Sequence, residues 1–297
     1  MASPGAAARR RARRDAATGY TLVAPALFGV TAFLLVPIGV LVWLSFQHWD
    51  LLGPITPVGL ENWRSVLADG AIWRSFGITL AFVGLAVPIQ TALGILLARL
   101  LSKQLPGSEA IRTILVLPWV CAPLVLGIIW RWIFEPTGVV NTLLGERIEW
   151  TSTPELAFAI AVFVTVWTKV GYVTLFFAAG MASIPASVLE AARLDGASAA
   201  QSFWHVELPM LRPTLFFVLV TSIIEGFQTF DLIYSLTPNG GPGGATDLIA
   251  ARIYAEVMTA NDLGRAAVTA LLLFVVLVAI TLVQNRYFSE RTGYERS

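Results

Sequence analysis

Four stretches of this chain carry no charge at all. Ala16 to Trp49, Ser75 to Ala98, Thr113 to Trp130 and Ala266 to Asn285 contain no Asp, Glu, Lys or Arg. Each is close to or longer than the roughly 20 apolar residues that take an α-helix across a bilayer. Two more blocks are nearly as clean. Leu156 to Leu189 is broken only by Lys169, and Pro213 to Leu236 only by Glu225 and Asp231. The runs are continuous and do not alternate, which favours helices over barrel strands. The pattern predicts an all-α integral membrane protein with six transmembrane helices, at about Thr21–Phe46, Phe76–Leu101, Arg112–Phe134, Leu156–Met181, Thr214–Leu236 and Leu263–Tyr287. A soluble fold is excluded by composition. With 56% hydrophobic and 13% charged residues, the chain lacks the polar faces that would cover such helices. The same figures exclude disorder. The first block far exceeds the 7–15-residue apolar region of a signal peptide, so it reads as an uncleaved first helix.

An even number of spans puts both termini on one side. With that side inside, 13 of the 20 Lys and Arg fall in inner segments and six in outer ones, with Lys169 within a span. This obeys the positive-inside rule, and Arg9, Arg10, Arg11, Arg13 and Arg14 of the N-terminal arm decide it. The division of the chain is therefore a cytoplasmic arm, residues 1–18, and one membrane domain, residues 19–297. A net charge of +1 offers no field for nucleic acid. One cysteine, Cys121, and two histidines, His48 and His205, leave no parts for a metal centre.

The most informative stretch is the inner loop 184–212. Ser187 stands three residues before Glu190, a capping-box spacing that predicts a helix start. Gly196 predicts a helix end or turn. A second short helix follows from about Ser198 to Val206 and ends near Leu208-Pro209. The loop is rich in small residues, so another body can approach it closely. Read from composition alone, an ordinary amphipathic connector fits equally well.

The loop also carries a motif. Glu190-Ala191-Ala192 is followed after three residues by Gly196, and after nine more by Val206, one residue, then Leu208-Pro209. This resembles the EAA signature of membrane subunits of binding-protein-dependent ABC importers, and it stands where that family has it, before the penultimate span. The resemblance covers nearly the whole chain. Trp167 to Tyr172, Ile184-Pro185, Phe227 to Tyr234 and Thr246-Asp247 look like the maltose and glycerol-phosphate type of sugar permease, the MalF/UgpA-like group. Permeases of actinobacteria assigned to amino-sugar uptake look particularly similar.

The resemblance implies a type I ABC importer permease fold in a bacterial plasma membrane, and a coupling role for the loop. Glu190 would be the polar anchor toward a separate ATPase. Ala191 and Ala192 would let the helix seat closely, and Gly196 would make the turn. Val206, Leu208 and Pro209 would brace the exit. The implied partners are a second homologous permease, an ATPase homodimer and an extracytoplasmic solute-binding (lipo)protein, with lipid around the spans. The chain has no G-x-x-x-x-G-K-[ST] motif, so ATP and Mg²⁺ would be used by the partner ATPase and this subunit would itself be non-catalytic, with no cofactor of its own.

Lys169, Glu225 and Asp231 each cost roughly 2.5–3.5 kcal/mol at a helix centre, so each should face a cavity or a partner. Glu225, Gln228 and Asp231 recur every three residues, and on an unbroken helix they share one face with Tyr234. They suit a path for a hydroxyl-rich solute such as a sugar, an amino sugar or a related polyol. They equally suit pairing with a second subunit. Lys169 can bind a hydroxyl, pair with Glu225 or Asp231, or snorkel. Trp167 and Tyr172 can stack on a sugar or simply pack against neighbours. The alternative function is an ion-coupled secondary transporter that uses Glu225 and Asp231. A membrane-embedded enzyme is the third possibility, with few groups in the spans to serve it.

Overall fold

A computed structural model of the chain describes residues 18–102 and 107–289. Long helices dominate: α1 (Thr18–Leu44), α2 (Glu61–Ala68), α3 (Gly70–Leu101), α4 (Ser108–Val120), α5 (Pro123–Ile133), α6 (Val139–Leu144) and α7 (Pro154–Ala182). After them come α8 (Ala186–Leu194), α9 (Ala199–Met210), α10 (Arg212–Phe227), α11 (Asp231–Leu236), α12 (Ile249–Met258) and α13 (Leu263–Ser289). A two-residue ribbon, β1 (Gln47–His48) and β2 (Thr56–Pro57), pairs antiparallel between α1 and α2.

Four helices, α1, α3, α7 and α13, are long and apolar enough to cross a membrane, and counting each of two bent pairs as one span makes six. Four of the six expected spans are thus single helices, and the third and fifth are broken segments, so the count is four to six. The third turns by 99° between α4 and α5. Cys121 and Ala122 are extended there, with ψ of 150° and 122°. Pro123 forces this by disfavouring helical geometry at the residue before it. The fifth expected span, Thr214–Leu236, follows a 66° bend between α9 and α10 and breaks at Gln228–Phe230. At that break the Thr229 hydroxyl donates to the Glu225 carbonyl at 2.9 Å, and the Thr229 amide reaches only the Gly226 carbonyl. The side chain competes for the carbonyl that would continue the helix. The N-terminal arm up to residue 17, including its five arginines, lies outside the described residues, as do Lys103, Arg291 and Arg296.

The chain forms two compact units, residues 1–68 with 256–271, and residues 69–255 with 272–297. In the smaller unit no residue of Thr31–Leu44 is buried, so this apolar helix presents itself to lipid or to another chain. Asn62 holds the turn after α1 by donating to the Ser45 and Gln47 carbonyls at 3.1 and 2.8 Å. Within the same unit Thr269 donates to the buried Glu256 carboxylate at 2.8 Å.

The larger unit is built around α3 and α7, which pack along each other and carry α4 and α10 on their flanks. Small residues set the spacing. Gly94 on α3 faces Val173 on α7, and Gly171 on α7 meets the Leu115 carbonyl of α4, where any Cβ would collide with backbone. Close backbone approach of this kind is how helices associate without a hydrophobic drive between them. A core of Ala98, Val173, Phe177, Leu211 and Val218 closes one end. Three threonines within the spans satisfy themselves, Thr79, Thr168 and Thr174 donating to the carbonyl four residues back at 2.7, 2.8 and 2.7 Å, whereas the Thr91 and Thr165 hydroxyls are buried without a partner. The three bonded hydroxyls add no unmet polar group to the membrane interior.

The start of α3 is bound to the Gly/Pro-rich turn that follows α11. Asp69 caps α3 by accepting the Ala71 amide at 2.9 Å. Arg74 donates to the Gly243 carbonyl at 2.6 Å, Ser75 to Asp247 at 3.0 Å, and the Ile249 amide to Thr79 at 2.9 Å. Arg252 lies 3.9 Å from Asp69 and 3.8 Å from Asp247. The turn crosses itself through Thr237 and Thr246, whose hydroxyls sit 2.7 Å apart.

Candidate functional site

Two places merit the name of a site, both in the larger unit. The first is the loop after α7. Its first helix, α8, begins at Ala186 with Pro185 in the cap position at φ −60° and ψ 131°, and no side chain caps it. The expected cap at Ser187 is therefore not formed, because the helix starts one residue earlier and takes Ser187 into its first turn. A capping box exists instead one helix later. The Ser198 amide donates to Gln201 Oε1 at 2.8 Å, and the Gln201 amide to Ser198 Oγ at 3.3 Å. Between the helices Gly196 sits at φ +80°. Its amide donates to the Arg193 carbonyl and that of Ala197 to the Ala192 carbonyl, which is a Schellman turn. Gly196 is required there because a left-handed residue with a Cβ is strained.

Glu190, Ala191 and Gly196 are exposed, Ala192 and Val206 are half-buried, and Leu208 and Pro209 are half-buried where the second helix ends. That helix runs on to Met210, past the expected stop at Leu208-Pro209. A π-helical turn over Phe203–Glu207 precedes the proline, with the Leu208 amide reaching back to the Phe203 carbonyl. Two large apolar side chains stand out from the loop, Leu194 at 88% exposure and Trp204 at 62%. Their spacing carried no signal in the sequence. Neither did Arg99, at the far end of α3. Its guanidinium lies 4.3 Å from the centre of the Phe203 ring, donates to the Ala199 carbonyl at 2.6 Å and stands 3.8 Å from Glu207. A cavity of about 700 Å³ opens beneath the loop, lined by Arg99, Arg112, Met181, Leu189, Arg193 and Glu207 among others.

The second place is polar and lies within the spans. Lys169 on α7 meets Glu225 on α10 at 2.7 Å. Of the partners open to Lys169, the structure selects Glu225. Gln90, Thr165, Ser222 and Thr229 surround the pair and enclose only about 10 Å³, about the room of one water molecule. That gap holds no solute, while the two side chains themselves are 29% and 40% exposed. The helix break at Gln228–Phe230 separates the other predicted residues from Glu225. Gln228, Asp231 and Tyr234 are exposed, so the four do not form one continuous helix face. Tyr234 instead joins an aromatic group with Phe230 and Tyr254, ring centres 4.7–5.4 Å apart, next to Asp231. Phe230 and Tyr254 were not anticipated. Tyr254 lies on α12, which the sequence reading placed in an outer loop. Trp167 packs edge-on against Trp130 at 5.1 Å, and Tyr172 stacks on Trp119 at 4.8 Å.

Residues 90–294 match the family described as the binding-protein-dependent transport system inner membrane component. The chain belongs to that family. This inner membrane component is 32% identical over 281 residues to the sn-glycerol-3-phosphate transport system permease protein UgpA of Agrobacterium fabrum, covering 93% of this chain and 96% of that one. It is 32% identical over 276 residues to the trehalose/maltose transport system permease protein MalF of Thermococcus litoralis, covering 91% and 93%. Its fold matches a crystal structure of a bacterial ABC transporter involved in the import of the acidic polysaccharide alginate, with a TM-score of 0.81 at 22% identity, covering 95% of this chain and 98% of that one. The type I ABC permease fold expected from the EAA motif is thereby established. None of these likenesses supports the ion-coupled alternative, and the Lys169 ammonium already neutralises one of its two carboxylates.

Proposed function

We propose that this chain is the translocation-pathway subunit of an ATP-driven importer for a carbohydrate, whether a sugar, an amino sugar or a related polyol. It pairs with a second homologous permease and receives solute from an extracytoplasmic binding (lipo)protein, with both termini cytoplasmic. ATP and Mg²⁺ are used by a separate ATPase homodimer. On this reading residues 1–18 are a cytoplasmic arm and residues 19–297 the permease domain. The observation that carries the reading is the loop 184–212, two short helices joined by the Gly196 turn, with Glu190 and Ala191 exposed and Leu194 and Trp204 projecting. An unpartnered surface of small and apolar side chains around one carboxylate suits close seating in a protein cleft. Carbohydrate as the solute is supported by the relatives, one named for glycerol-3-phosphate and one for trehalose and maltose. The exposed Asp231 and Gln228 beside Phe230, Tyr234 and Tyr254 suit it chemically. Carboxylate and amide bind hydroxyls, and aromatic faces stack on the apolar side of a sugar ring.

In this mechanism closure of the ATPase dimer pushes on Glu190 to Leu194. The Schellman turn keeps α8 and α9 at a set angle, so the push passes as movement of the loop and not as bending within it. The pathway opens along the face that holds Asp231, with Gln228 and Tyr234 exposed beside it. Co-expression with the neighbouring genes and purification in mild detergent tests the reading. Wild type should recover an ATPase, and Glu190→Ala and Gly196→Arg should recover far less. Equal recovery from all three, or none from wild type, overturns it.

A further inference from the structure

Arg99 and Arg74 lie at opposite ends of the single helix α3, and each is fastened to a loop far away in sequence. At one end Arg99 holds α9 by three separate contacts, to the Phe203 ring, the Ala199 carbonyl and Glu207. At the other end Arg74, Ser75 and Thr79 hold the turn 237–249 through Gly243, Asp247 and the Ile249 amide. The helix runs unbroken through Pro88 between them. At 1.5 Å per residue the two arginines are roughly 38 Å apart along the axis. The direct covalent route between the two loops, by contrast, passes through α10, which ends at Gln228, and across the break to α11. A broken path is compliant and an unbroken helix packed along α7 is stiff.

We propose that α3 is the strut that links the ATPase-facing loop to the turn 237–249 on the opposite side, and that Arg99 and Arg74 are its positioning residues. This rests on the reading that the loop 184–212 seats an ATPase and that the outer segments meet a binding protein. A guanidinium suits the inner joint. It sits 4.3 Å over an aromatic ring while one nitrogen donates to a carbonyl and its charge faces a carboxylate 3.8 Å away, so the joint resists both sliding and rotation. Lysine keeps only the charge. Motion of α9 then displaces the end of α3, and α3 displaces the turn. Because coupling free energy between two sites is reciprocal, solute-loaded binding protein on the turn acts on the ATPase by the same route.

The test uses the whole importer, with partner permease and ATPase, reconstituted in nanodiscs with its binding protein. The ratio of ATPase rate with solute-loaded binding protein to the rate without it is the readout. Arg99→Ala and Arg74→Ala should each lower that ratio by about fivefold or more, the scale of a typical coupling. The double variant should fall no further than the single ones, since one strut is already cut. Arg99→Lys should lie between wild type and Arg99→Ala. Hydrogen exchange supplies a second readout. A non-hydrolysable ATP analogue should change exchange in the turn amides of wild type and leave those of Arg99→Ala unmoved. Equal ratios in wild type and variants, or effects that multiply in the double variant, overturn the strut alone. A variant that no longer recovers the ATPase also overturns it, because Arg99 would then be holding the docking surface. A wild type that recovers no ATPase overturns the functional reading and the strut with it.

Discussion

Lys169 on α7 and Glu225 on α10 form an ion pair at 2.7 Å, across 56 residues of sequence, inside the membrane-spanning part of the chain. Each charge alone would be costly there, and the pair lets both spans insert. The pair joins α7 to α10, with 29% of the Lys169 and 40% of the Glu225 side chain still exposed.

Removing one member should therefore be worse than removing both. Lys169→Met leaves Glu225 without its cation and should destabilise the protein by about 3 kcal/mol, the scale of a charge at a helix centre. Adding Glu225→Gln should recover most of that loss. Thermal unfolding of the single and double variants in bicelles checks it.

At Gly196 the order of substitutions is set by backbone geometry, since a Cβ there meets no neighbour and only the positive φ of 80° penalises it. Asparagine tolerates the left-handed region better than alanine, and valine least. Uptake in cells should fall in the order Gly, Asn, Ala, Val. The left-handed conformation costs alanine roughly 1–2 kcal/mol.

Two glycines of the spans should behave oppositely. A Cβ at Gly171 meets the Leu115 carbonyl, whereas a Cβ at Gly84 meets nothing within 4 Å. Gly171→Ala should separate α7 from α4 and cost on the order of 1–3 kcal/mol. Gly84→Ala should stabilise α3 by up to about 1 kcal/mol. Membrane accumulation and melting temperature of the two variants check this.

If the exposed face beside the helix break carries the solute, then Asp231→Asn and Tyr234→Ala should raise the KM of uptake about tenfold, as expected for the loss of roughly 1.4 kcal/mol of binding. ATPase recovery should be untouched. Reduced recovery with unchanged KM would mean that these residues serve the partner permease instead.

Asp50 lies in the turn between β1 and β2, where its carboxylate accepts the Gly53 amide at 2.6 Å and the Leu52 amide at 3.1 Å. These amides hold its pKa below the ordinary carboxylate value, the Gly53 bond contributing most. A lowered folded pKa means that the turn is supported above the unfolded pKa of about 3.9 and loses that support as pH falls through the folded value. The Gly53 amide proton shift should titrate with a midpoint below 3.9. Asp50→Ala should abolish the titration.

The spans were legible because bilayer thickness acts on local composition. A run such as Ser75 to Ala98 has no other way to be solvated. The two-helix form of the loop 184–212 was legible because its spacing is short-range, and Gly196 holds the left-handed turn its position implied. The capping box was misread by eleven residues, from Ser187 to Ser198, because two serines satisfy the same local pattern and only the position of Pro185 chooses between them. The supposed common face of Glu225, Gln228 and Asp231 failed for a different reason. Spacing presumes a continuous helix, and Thr229 breaks this one.

By itself the sequence determined what kind of protein this is: its length in spans, its lack of an ATP-binding loop and its EAA motif each follow from residue type and near spacing. Tertiary structure alone decided which partner Lys169 takes, that Arg99 grips Phe203 and Glu207, and that Tyr254 joins Phe230 and Tyr234. Those contacts join residues 20 to 108 positions apart in the chain. Local pattern cannot encode them, because whether two distant side chains meet depends on how whole helices pack, and that is settled by all of their contacts together.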